Sequence, residues 1–195
     1  MNYYISDLHL FHENAIKYDN RPFENLEQMH EAIIRKWNSK ITNGDTVYIL
    51  GDMSMRGEKE ALISLVATLK GRKIFVRGNH DDLSDYRYQQ LFAEICDYKE
   101  VQDSFEGKNY HLVLSHYPIF SWKKMGRGTI LLYGHTHNSE EDSFFQKCLA
   151  KMTENNCRHV YEQQAKAINV GCMKPWMDYE PRSLKELLTY EGQKG

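Results

Sequence analysis

Five apolar runs of strand length lie along the chain: "NYYI" at 2–5, "TVYIL" at 46–50, "KIFV" at 73–76, "YHLVL" at 110–114 and "TILLY" at 129–133. They are rich in β-branched and aromatic residues, the composition of buried strands. Each gives way at its C-terminal end to carboxylate, imidazole or carboxamide groups. Asp7 and His9 follow the first, Gly51 and Asp52 the second, and Asn79, His80 and Asp81 the third; His116 follows the fourth, and His135 and His137 the fifth. In open α/β sheets, ligands bind in the crevice outside the carboxyl ends of the strands. A lone histidine beside an apolar strand is ordinarily a packed interior residue, but five strand ends with compatible chemistry point to a shared site.

Between these runs the period changes. Leu26, Met29, Ile33, Ile34 and Trp37 recur at helical spacing, as do Leu62, Leu65, Val66 and Leu69, with Gly71 placed as a stop. The result is a β-α-β-α-β pattern. "KAINVGC" at 166–172 predicts a further strand, "SLKE" at 183–186 has the spacing of a capping box that opens a last helix, and 138–156 reads as a helix with a thin apolar stripe. With no repeat, low-complexity tract or Pro/Gly/Ser linker, one domain over residues 1–195 is expected, and 41% hydrophobic content is ample for its core.

Neither a signal peptide nor an apolar stretch long enough to span a membrane is visible, so a cytoplasmic protein with no membrane partner is expected. A net charge of −2 gives no general attraction to polyanions, and the nearest basic run, "WKKMGRG" at 122–128, is short; no long nucleic acid partner is expected. Cys96, Cys148, Cys157 and Cys172 form no Cys-x-x-Cys pair and read as ordinary thiols.

The donors at the strand ends offer oxygen and nitrogen without sulfur, a set that suits Mn²⁺, Zn²⁺, Fe or Ni²⁺. They are too many for one tetrahedral site, whereas two neighbouring cations sharing a carboxylate would use them all. As a series, Asp7-x-His9, Gly51-Asp52, Gly78-Asn79-His80-Asp81, Ser115-His116 and Gly134-His135-Thr136-His137 resembles the calcineurin-like metallophosphoesterases. "INVG" at 168–171 and "YEPRSL" at 179–184 look like the closing strand and helix of short bacterial members.

The resemblance implies a four-layer α/β/β/α sandwich, two mixed sheets face to face with helices outside. It implies two divalent cations, with Mn²⁺ favoured. One would be held by Asp7, His9, Asp52 and His137, the other by Asp52, Asn79, His116 and His135. It further implies a metal-dependent phosphoric ester hydrolase, more a phosphodiesterase than a monoesterase, acting on small or nucleotide-like substrates. A water shared by the two cations would attack phosphorus, and His80 would act as general acid, oriented by Asp81. Gly78 is expected to turn the chain. His12, Asn14 and Arg21 are candidates for contact with phosphate or base, and Trp122 for stacking on a base. Two alternatives stand beside this: a binding or scaffold protein on the same fold with catalysis lost, and a DNA exonuclease of the superfamily. An intact donor set weighs against the first and the charge balance against the second. Oligomeric state is not legible.

Overall fold

The computed structural model describes residues 1–55, 59–155 and 164–190. In chain order the elements are β1 (Asn2–Ile5), α1 (Glu13–Tyr18), α2 (Leu26–Lys40), β2 (Thr46–Leu50), α3 (Lys59–Thr68), β3 (Arg72–Val76), α4 (Tyr86–Gln89) and β4 (Glu94–Cys96). There follow β5 (Tyr98–Phe105), β6 (Lys108–Ser115), β7 (Ile130–Tyr133), α5 (Glu140–Glu154), β8 (Lys166–Asn169), β9 (Arg182–Ser183) and α6 (Leu184–Thr189). The first sheet has the order β4-β3-β2-β1-β9 and the second β5-β6-β7-β8. β1 to β4 run parallel with β9 antiparallel at the edge, and β6 to β8 run parallel with β5 antiparallel. Both sheets are therefore mixed, as the resemblance implies.

Parallel strands covered on both faces need continuous apolar runs, and these have them. In the second sheet Leu112, Leu114, Ile130, Leu132 and Ile168 face the main core, while Val113, Leu131 and Tyr133 pack with Phe145 and Leu149 of α5. The alternation is the period of two that places successive side chains on opposite faces. On the first sheet, α2 buries Met29, Ile33 and Trp37, and the Trp37 indole donates to the Lys70 carbonyl at 2.9 Å. Ser139 caps α5, and Ser183 with Glu186 forms the capping box of α6.

β5 has no apolar run to announce it. Its residues alternate between exposed and half-buried, and its covered face carries Asp103, which accepts the Tyr4 hydroxyl at 2.7 Å across the gap between the sheets. The strand is held instead by its full antiparallel register with β6 through the two-residue turn Glu106-Gly107. Both turn residues have positive φ, 50° and 73°, as a type I′ hairpin turn demands. That pairing also lengthens β6 beyond its apolar stretch.

The two sheets meet at the carboxyl ends of their parallel strands. Ser6 donates to the Val170 carbonyl and accepts from the Cys172 amide, both at 2.9 Å, so the end of β1 is stitched to the chain leaving β8. Of the cysteines, Cys96, Cys148 and Cys172 are free thiols, and Cys157 lies outside the described residues. Among the described residues, no helix is long and apolar enough to cross a membrane.

Candidate dinuclear metal centre

The loops leaving the strands are unusual in their backbone. Asp7, His9, Asp52, His135 and His137 all have positive φ, at 56°, 48°, 51°, 69° and 48°. This left-handed region is sparsely populated by residues with a side chain, and such strain, on the order of 1–3 kcal/mol per residue, collects at functional sites. Backbone bonds hold it: Asp7 donates to Gly51 and His9 to Asp52, both at 3.0 Å, Leu10 to Met53 at 2.8 Å, and Gly134 to His116 at 2.9 Å.

The glycines of the motifs are there for room. Gly51 does take a left-handed φ of 86°, whereas at Gly78, which lies just before a bend, the lack of a side chain matters for the space it leaves. A Cβ at Gly78 would run into the Asp52 carboxylate and lie 2.5 Å from the Asp52 amide nitrogen; one at Gly134 would lie 2.5 Å from Asp7 Oδ2. Gly78→Ala is accordingly expected to displace the Asp52 carboxylate, seen as loss of bound metal in elemental analysis with only a modest fall in melting temperature. An alanine variant with full metal content would refute this steric account.

Two clusters result, Asp7 with His9 and His137, and Asp52 with His116 and His135, each with ligand atoms within 4.8 Å of one another and each able to hold a cation. Asp52 lies between them: its Oδ2 is 3.7 Å from His9 Nε2 and 3.6 Å from His116 Nε2. His137 Nε2 is 3.1 Å from His9 Nε2 and 3.7 Å from Asp7 Oδ1, and Asn79 Oδ1 is 2.9 Å from His116 Nε2. All seven expected ligands thus converge on one rim, Asn79 being the exposed member.

The donor chemistry fits cations. His116 Nδ1 faces the Leu50 carbonyl at 2.8 Å and His137 Nδ1 faces the Asp19 carboxylate at 2.7 Å. Each Nδ1 must therefore carry a proton, which leaves Nε2 of the neutral ring a bare lone pair turned into the site. His116 Nε2 then faces the Asn79 oxygen, acceptor against acceptor, an arrangement that a shared cation satisfies. Burial pushes the Asp7 carboxyl above its ordinary range, and burial together with His137 and Arg21 drives the His9 ring down to about 2. A neutral imidazole is the form that ligates metal, and a divalent charge would stabilise the Asp7 anion.

Several expected roles change. Arg21 is buried, not presented to substrate: its guanidinium donates to Asp19, to the Leu8 carbonyl at 2.8 Å and to the Asp7 carbonyl at 3.0 Å. Trp122 is buried against Met125 and Leu131, with its indole bonded to Thr129, and is not free to stack on a base. The aromatic ring at the site is Tyr117, half-exposed and edge-on to His116 and His135 at 5.0 and 4.6 Å between centroids. Asn14 is on the exposed face of α1, away from any described partner, while His12 lies beside His9 with ring centroids 5.6 Å apart.

Asp81 does not spend its carboxylate on the His80 ring. It accepts the backbone N–H groups of Gly78 and Asp52 at 2.8 Å and of Met53 at 3.0 Å, tying the loop after β3 to the loop after β2. Burial pushes its carboxyl up to about 6 against the pull of those donors. His80 itself is half-buried, with its backbone N–H on Asp52 Oδ1 at 3.0 Å and its ring centroid 5.8 Å from that of His9.

Two supporting groups escaped sequence reasoning. Asp19 is one, in a loop with no motif around it. The other is Asp142, which accepts Tyr133, Thr136, Asn169 and Lys174 at 2.7 to 2.9 Å behind the loop that carries His135 and His137. Nothing in their local sequence signals either role.

A family model for calcineurin-like phosphoesterases matches residues 3–106, and the chain belongs to that family. The matched stretch holds Asp7 through Asp81; His116, His135 and His137 join it through the second sheet. An uncharacterized protein of Methanocaldococcus jannaschii is 35% identical over 143 residues, covering 73% of this chain and 72% of that one. The gene 66 protein of Mycobacterium phage L5 is 26% identical over 160 residues, covering 70% and 77%. Among solved structures, a protein of unknown function from Aquifex aeolicus superposes with a TM-score of 0.67 at 27% identity, covering 95% of this chain and 96% of that one.

Proposed function

We propose that the protein is a phosphodiesterase dependent on two divalent cations, acting on small or nucleotide-like esters, with Mn²⁺ as an effective activator. The observation that carries this is the Asp52 carboxylate oxygen lying within 3.7 Å of imidazoles from both clusters, the placement of a bridging ligand. Two such cations, when bound, polarise the phosphate and bring a water towards deprotonation near neutral pH.

The chain's own groups supply the rest. Asp7 and Asp52 offset the cationic charge so that product phosphate is released. Asp81 and Arg21 hold the loops that present these carboxylates. Among the imidazoles of the strand-end motifs, His80 is the one left over once both clusters are assigned, and its half-buried ring protonates the leaving alcohol oxygen. Tyr117 forms a wall beside His135.

The test is metal-free protein reconstituted with Mn²⁺ and offered mononucleotides, 2′,3′-cyclic nucleotides, dinucleotides and aryl phosphodiesters. Hydrolysis of diesters that a chelator abolishes is the expected result. No turnover with Mn²⁺, Fe, Zn²⁺ or Ni²⁺ on any member would favour a binding protein instead.

A further inference from the structure

The two clusters are not supported alike. Behind the Asp7, His9 and His137 cluster lies a carboxylate; behind His116 lies only the neutral carbonyl of Leu50. Asp19 Oδ1 accepts from His137 Nδ1 at 2.7 Å, and its Oδ2 accepts from Arg21 Nε and Nη2 at 3.0 and 2.7 Å. The Asp19 and Arg21 side chains are 4% and 0% exposed, so their pairing is shielded from water, and the His137 side chain that meets the same carboxylate is 24% exposed. The same guanidinium also donates from Nη1 to the Leu8 carbonyl and from Nη2 to the Asp7 carbonyl. One carboxylate thus fixes a ring on the second sheet and, through Arg21, the backbone of a carboxylate ligand on the first. A hydrogen bond to an ionised acceptor is stronger than one to a carbonyl and makes the ring a better donor at its other nitrogen.

We propose that Asp19 is a positioning residue for the Asp7, His9 and His137 cluster, and that its clamp makes this the tighter of two unequal cation sites. The proposal rests on the reading of both clusters as cation sites. Asp19 touches neither substrate nor cation; it acts through His137 and Arg21.

Calorimetric titration of metal-free protein with Mn²⁺ should resolve two classes of site. Asp19→Asn should weaken the tight class by about 10- to 100-fold, the usual effect of losing an outer partner of a metal-bound histidine, and leave the weak class unchanged. Because the single variant leaves a buried guanidinium unpaired, Asp19→Asn combined with Arg21→Met provides a second form, expected to show the same selective loss. In the wild-type protein loaded with diamagnetic Zn²⁺, nitrogen NMR of His137 should find the proton on Nδ1. Equal weakening of both classes, no weakening of the tight one, or a proton on Nε2 would each overturn the proposal. Two bound Mn²⁺ with Asp19→Asn unaffected sinks this inference alone, whereas a wild-type protein that takes up no Mn²⁺ sinks the proposed function as well.

Discussion

Asp52→Ala is expected to strip both cations from their proper positions and to lower phosphodiester turnover by more than about 10³-fold, beyond the loss usual for one preorganised electrostatic group. The side chain serves both clusters at once: Oδ2 lies between His9 and His116, while Oδ1 holds the His80 amide. No neighbouring carboxylate can replace it, since Asp7 is engaged with His135 N–H and the Ser6 hydroxyl, and Asp81 with three backbone donors. Alanine would also be strained at the φ of 51°. Asp52→Asn separates the two effects, because asparagine tolerates the left-handed region and keeps the shape while losing the charge. Elemental analysis should then show fewer than two metals per chain in a folded protein. A fully active wild-type enzyme carrying a single tightly held metal would contradict the two-cation mechanism outright.

His80→Ala should behave in the opposite way with respect to metal. The link from His80 to the cation clusters runs through its backbone N–H, which alanine retains, so both metals should stay bound. The rate should fall by about 10² to 10⁴ for a poor leaving group such as a ribose alkoxide, the usual worth of a positioned proton donor. The deficit should shrink for an activated aryl ester, whose phenolate departs without the proton. Equal slowing of both ester types, or loss of a metal, would make His80 a phosphate-binding group or a ligand. Asp81→Asn belongs to another category: placing an amide where three backbone N–H groups converge sets donor against donor, so loosened loops and weaker metal binding are expected ahead of any leaving-group pattern.

β1, β2, β3, β6, β7 and β8, and the polar groups released at the ends of the first five of these, were legible because both are local, whereas the short edge strands β4 and β9 carry no apolar run of their own. An apolar run of four or five residues can be satisfied only by burial, and the polar residue that follows it must emerge at the sheet's rim. The capping box at Ser183 and Glu186 and the helix of α5 were legible for the same reason, as patterns confined to a turn or two. β5 was not, because its covered face carries Asp103, which besides the neighbouring Ser104 amide is met by the Tyr4 hydroxyl, 99 residues away. Arg21 has the sequence of a surface arginine, and its burial follows from the Leu8 and Asp7 carbonyls and the Asp19 carboxylate closing around it. Trp122 and Tyr117 exchange roles because the loop that joins β6 to β7 folds the first inward under α5 and leaves the second at the rim.

By itself, the sequence determined the main strands and helices and the polar residues released at the strand ends, since these are written in periods of two or 3.6 and in side-chain chemistry; the two mixed sheets and the choice of seven candidate ligands came from the order of the motifs and the family they resemble. The tertiary structure alone decided which groups hold those donors in place. Asp19 meets His137 across 118 residues, and Asp81 meets Asp52 across 29. Gly78 is required by the volume of a carboxylate in the loop that follows another strand. Such partners are chosen by packing between two sheets, and no local pattern records which side chain will be waiting on the other side.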